Sequence, residues 1–194
     1  MELSGITFEG SAIDDFEILS LLPDRLRRIL ESINGFILQH GALHFRGACC
    51  EPEWHSLRAA WKGENGFHRL YDSVEETDIP FAQDCVGDQF FLRNGHVIRL
   101  LAESDEIENV ACDLREFLLE VDRDPEEFLS AAPDHKLRPG ELLHAWPPFC
   151  TEPPDTGYSI RPCPAHEVIL FHAELARTIL EIPDGGKFDI QVKD

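Results

Sequence analysis

Basic residues are scarce in this chain: 17 Lys and Arg stand against 37 Asp and Glu, a formal net charge of −20 with a pI near 4.7. A phosphate backbone or an anionic bilayer repels such a surface, so the charge excludes nucleic acid and membrane lipid as partners. Long apolar runs are absent too. No segment approaches the ~18 consecutive apolar residues of a spanning helix. The first residues, MELSGITFEGSAIDDFEILS, begin acidic and lack the apolar or Arg-rich character of a targeting peptide. A cytoplasmic protein is therefore expected. Its six cysteines (Cys49, Cys50, Cys85, Cys112, Cys150 and Cys163) are irregularly spaced and read as reduced thiols. The vicinal Cys49-Cys50 pair leaves redox chemistry open.

The common catalytic signatures are missing as well. No GxSxG elbow surrounds a serine, no P-loop or dinucleotide glycine pattern occurs, and no CxxC knuckle is present. His166 and His172 stand six apart, about 120° out of alignment on a helix at ~100° per residue, so the four-residue spacing of a zinc helix is not met. Neither a metal nor a cofactor is expected, and no catalytic residue is assigned. A Cys/His pair such as Cys85 with His96 or His68 stays as an alternative, because catalytic partners need not be sequence neighbours.

What is present suits one domain. The 194 residues are 43% hydrophobic and 28% charged, enough for a sizeable core. Residues 1–20 read as a lead-in, 21–132 as an α+β core, and 133–194 as a proline-rich segment, helix and final strand packed on the same domain. LLPDRLRRILESINGF places Leu22, Leu26, Ile29, Leu30 and Ile33 on one helical stripe, with Pro23 in the first turn and Asn34-Gly35 as the stop. FILQHGALHF follows as short extended pieces around Gly41. EPEWHSLRAAWKG is a shorter helix with Trp54, Leu57 and Trp61 on one face. IENVACDLREFLLEVDRD reads as a single amphipathic helix from Ile107 to Val121. Asp124-Pro125 opens another short helix, with Glu127 reaching back to its start. Strand pieces are expected near Leu142–Ala145 and Tyr158–Arg161, then a helix from Ala165, and GGKFDIQV as a closing turn and strand.

The stretch DIPFAQDCVGDQFFLRNGHVIRLL is the most telling. Pro80 argues for an edge or a bulge. Asn94-Gly95 alone separates DQFFLR from HVIRLL, and this dipeptide accepts the positive φ angles of a two-residue hairpin turn. Phe90 and Leu92 then share one face and Phe91 the other. Asp84 and Asp88, flanking Gly87, suit backbone N–H acceptance in a tight turn better than acid–base work.

Together these residues resemble the SUKH superfamily. LPDRLRRILESINGF is similar to its opening leucine-proline helix. IPFAQDCVGDQFFLRNGHVIRL is similar to its central block of Pro-Phe, acidic spacer, Gly-Asp, aromatic strand, turn and second strand. DLREFLLEV stands where that family has its next helix. The likeness runs from about Leu21 to Leu129, and Phe36 stands where many members carry another glycine. The resemblance implies a curved, mostly antiparallel sheet flanked by helices. It also implies a non-catalytic binding role, either as an immunity protein that neutralises a toxin, often a nuclease, or as a regulatory scaffold. On that pattern Pro80, Phe81, Gly87 and Asp88 are architectural. A nuclease must be basic where it grips phosphate, so the expected partner is a basic protein. Glu75, Glu76 and Asp78 before the strand, and Asp105, Glu106 and Glu108 after the hairpin, are the expected contacts.

Overall fold

The computed structural model describes residues 4–129, 136–151, 155 and 157–182. Among them, seven strands form one sheet in sequence order, each antiparallel to its predecessor. These are β1 (Ile6–Glu9), β2 (Phe36–Leu38), β3 (Leu43–Phe45), β4 (Ile79–Asp84), β5 (Gln89–Arg93), β6 (His96–Leu101) and β7 (Glu106–Ala111). A separate two-stranded ribbon pairs β8 (Glu141–Trp146) with β9 (Ser159–Pro164). The helices are α1 (Phe16–Leu21), α2 (Asp24–Ser32), α3 (Leu57–Lys62), α4 (Phe67–Leu70), α5 (Leu114–Arg123), α6 (Pro125–Phe128) and α7 (Ala165–Leu180). The fold class is thus α+β, as expected.

Strand alternation gives the sheet two faces with different coverings. On the first, Phe45, Phe81, Phe90 and Leu92 meet α1, α2 and α5 through Leu19, Leu26, Leu30, Leu114 and Phe117. Phe117 sits against the rings of both Phe81 and Phe90. Each fully buried Phe of this kind contributes about 2–3 kcal/mol by transfer from water. On the second face, Phe91, Ile98 and Leu100 pack with Phe67 and Tyr71 around α4 and with Ala173 and Ala176 of α7. Phe90 and Phe91 therefore point to opposite sides, as the alternation requires.

Asn94 (φ 52°) and Gly95 (φ 88°) make the β5–β6 turn. Pro80 lies in a central strand, but at a register shift between Pro80 and Ala82 where the ladder is already broken. Pro23 precedes α2 as its N-cap rather than entering the first turn, and Gly35 (φ 77°) supplies the left-handed exit.

Two further expectations are corrected. The supposed lead-in supplies an edge strand and α1. The expected long helix from Ile107 divides: Glu106–Ala111 is β7, and the helix starts only at Leu114. Pairing of β7 with β6 wins over helical spacing because Ile107 packs on the second face opposite Leu100. Asp113 caps α5, its Oδ1 accepting from the N–H of Arg115 and Glu116, while the Glu116 carboxylate accepts from Cys112 N. Asp105 thus stands at the turn before β7, and Glu106 and Glu108 on that strand. Asp124-Pro125 opens α6 as anticipated. The cap from Glu127, the stretch 130–133 and the GGKFDIQV strand fall outside the described residues.

Candidate functional site

The Asp84–Asp88 segment is a backbone clamp. Asp84 Oδ1 accepts from the N–H groups of Val86, Gly87 and Asp88, each at 3.0 Å. Asp88 Oδ1 accepts from Ala102 N at 2.9 Å, tying the turn to the end of β6. Burial and the neighbouring Asp88 charge push the Asp84 pKa well up. Burial likewise lifts Asp88 to about 6, against the pull of the Ala102 N–H and Arg99. Gly87 has φ 98°, and a Cβ there would stand 3.3 Å from His172 Nδ1, so the residue serves both the turn and the close approach of α7.

Cys85, Cys150 and Cys49 are held as thiols. Cys85 is buried just beyond β4, and burial followed by the Asp84 charge raises its pKa to about 12. His96 starts β6 at the opposite end of the sheet, about 20 Å away along the strands at ~3.4 Å per residue. That pair does not meet. Cys150 is likewise raised to about 12, by burial and by Glu103. Glu103 also faces His172 at 3.6 Å, so a carboxylate stands between this thiol and the imidazole. Cys49 is raised to about 11, chiefly by burial. Each shift runs opposite to the lowering that a nucleophilic cysteine needs. Among the described residues, no group of three or more His, Cys, Asp or Glu is arranged to hold a metal ion.

The six acidic candidates do not form one patch. Asp78 is buried at 1% exposure, bound by Arg93 and accepting from Glu75 N. Asp105 is occupied in joining the β6–β7 turn to the preceding loop, accepting from Asp72 N, Ser73 N and Ser73 Oγ. Glu75 and Glu76 are exposed on that loop, which runs beside the second-face residues Tyr71 and Val74. Glu106 and Glu108 lie opposite Leu101 and Arg99, whose side chains share the first face with Phe90. Glu108 pairs with Arg99 at 2.5 Å. The exposed acids are therefore two pairs, one on the loop before β4 and one on β7.

A second constellation comes from residues that no local motif marks. His44, Gln83 and Gln89 are cross-strand neighbours on the second face of β3, β4 and β5, and Arg46, two residues after His44, joins them. Arg46 Nη1 donates to Pro80 O and Ala82 O, and Nη2 donates to Gln83 Oε1 and Gln89 Oε1. His44 Nε2 and His55 Nδ1 are 2.8 Å apart, and His55 Nε2 is 3.1 Å from Asn34 O. That carbonyl assigns the proton of His55 to Nε2 and makes His44 the donor between the rings. Burial, then the Arg46 charge, holds His44 well below the usual imidazole range, and burial lowers His55 as well. The signal in the sequence was polar Gln83 and Gln89 within otherwise apolar strands.

Compared with protein-family models, curated proteins and solved structures, the chain matches none. No helix among the described residues is long and apolar enough to cross a membrane.

Proposed function

We propose that this chain is a non-catalytic, SUKH-type binding protein that acts in the cytoplasm as an immunity protein, neutralising a basic toxin, such as a nuclease, by direct contact. The observation that carries the reading is the use made of the central acids. Asp88 bonds Ala102, the architectural role the resemblance implies for it, and Asp84 spends one carboxylate oxygen on three backbone N–H groups, the turn role its place before Gly87 suits. The order of α2, glycine exit, hairpin and α5 supports the same family reading. A net charge of −20 supports a basic partner, since complementary fields raise the rate of encounter.

The test is co-expression with the product of the neighbouring reading frame, followed by binding measured across a salt series. The expected result is a stable complex, survival of cells carrying the toxin, and association that slows about tenfold or more as salt rises through the physiological range. Binding without protection would replace immunity with a scaffold role. An adjacent product that neither binds nor is neutralised would overturn the proposal.

A further inference from the structure

Between the second face of the sheet, the 53–67 segment and the start of α7 lies a cleft of about 380 Å³, a size that takes a small organic ligand. Its floor is Arg46. That guanidinium is 2% exposed, and its four hydrogen-bond partners, the carbonyls of Pro80 and Ala82 and the amides of Gln83 and Gln89, are all neutral. The Phe67 ring lies 5.3 Å from Cζ. Burial lowers the Arg46 pKa to about 9, which leaves it cationic at neutral pH. A cation removed from water with no carboxylate beside it is costly to hold, and an anion brought alongside relieves that cost.

The walls agree with the floor. Ala165 and His166, the first residues of α7, line the cleft. This helix is 16 residues long; its N-cap, Pro164, makes no side-chain cap bond, while Ala165 N donates to Gly140 O at 2.8 Å, so the helix dipole favours an anion beside the first turn. Trp54 and Phe67 provide flat apolar surface, and Leu170 stands 42% exposed at the margin. Among the lining residues Glu53 is the one carboxylate, set against the guanidinium of Arg46. The lining is thus locally neutral in a chain with 37 acidic and 17 basic residues.

We infer that this cleft binds a small organic anion with a flat apolar body, the anionic group drawn toward Arg46 and the first turn of α7 and the body packed against Trp54 and Phe67. The inference is independent of the immunity role.

Four probes share one ring system and differ in head group: naphthalene-2-carboxylate, 2-naphthyl phosphate, neutral 2-naphthamide and cationic 2-naphthylmethylammonium. They are titrated into the ¹⁵N-labelled full chain while the indole N–H of Trp54 is followed. Trp61, whose Nε1 donates to Glu76 O at 3.0 Å, lies outside the cleft lining and serves as control. Both anions should shift Trp54 and not Trp61, with affinity at least about tenfold above the amide and the ammonium. The ratio of carboxylate to phosphate affinity then identifies the head group. At the margin, Leu170→Lys should tighten the anions about threefold and Leu170→Glu weaken them about threefold, a charge effect that packing alone does not produce. Arg46→Met should abolish the preference for anions; if that variant does not fold, the Leu170 pair carries the test. Equal binding of amide and carboxylate, identical behaviour of the two Leu170 variants, or no Trp54 response to either anion up to about 5 mM would overturn the inference.

Discussion

Arg93 holds Asp78 in a two-pronged ion pair, Nε to Oδ1 at 2.8 Å and Nη2 to Oδ2 at 2.5 Å, with the Asp78 side chain fully enclosed. The same Nη2 also donates to Ser73 O, so the pair fastens the loop before β4 to the end of β5. Asp78→Ala strands a guanidinium that is only 22% exposed and leaves Glu75 N without its acceptor. Stability should fall by about 2–4 kcal/mol, read as a shift in urea midpoint. The folded fraction should bind its partner as before. A selective loss of binding at unchanged stability would return Asp78 to the contact surface.

The two exposed acidic pairs can be tested separately because they stand on different elements. Glu75→Lys with Glu76→Lys alters the loop before β4, whereas Glu106→Lys with Glu108→Gln alters β7. A partner seated on one side should lose association rate by about tenfold at low salt from one double variant and less than about twofold from the other. Stopped-flow association at two salt concentrations distinguishes them. Equal losses would mean that the partner wraps the β7 edge.

Asp88 and His172 pull stability in opposite directions as acid is added. Asp88 has its folded pKa raised to about 6 by burial, so between the ordinary value of 3.8 and about 6 the native state holds the extra proton and stability falls as pH rises. Asp88→Asn keeps an acceptor for Ala102 N and removes the buried charge. It should gain about 1–2 kcal/mol at pH 8, and the gain should vanish near pH 4. His172 is lowered to about 4, first by burial and then by His144, so its contribution is complete above pH 6.5 and is lost as pH falls toward 4. His172→Leu should remove that loss. Thermal melts of both variants from pH 4 to 8 check the signs.

His55 is enclosed by three glycines. A Cβ on Gly47 would lie 2.8 Å from His55 Nε2 and 2.6 Å from Asn34 O, and Gly10 and Gly35 approach the same ring closely. Gly47→Ala should cost about 2–3 kcal/mol through overpacking. Adding His55→Ala should recover part of that cost, so the double variant is less destabilised than the sum of the single variants. Strict additivity in chemical denaturation would show that the collision with Asn34 alone matters.

Local chemistry was readable where one short motif decides the outcome. Asn94-Gly95 leaves the chain little option but a two-residue turn, and Asp84 around Gly87 announces its own backbone bonds. Ile107 and Val110 were misread because a three-residue step fits a helix, while a register shift between Val97 and Ile98 lets the same residues lie along an irregular strand. The better marker was Asp113 three residues before Glu116, a helix start that the longer reading ran through. The polar Gln83 and Gln89 stood out within apolar strands, but their meeting with Arg46 was not legible. They are 37 and 43 positions from it and meet it only after β3, β4 and β5 have paired.

The sheet's plain up-and-down order has a kinetic consequence. Each strand finds its mate in the next strand along the chain, so growth can begin at the Asn94-Gly95 turn and spread outward with short loop closures, a route that favours fast folding. The exceptions are the connection between β1 and β2, which carries α1 and α2, and that between β3 and β4, which carries α3 and α4 and must close before Arg46 meets its four acceptors. The last structure to lock during folding should therefore be the floor of the cleft, after the hydrophobic layers on either side of the hairpin have condensed.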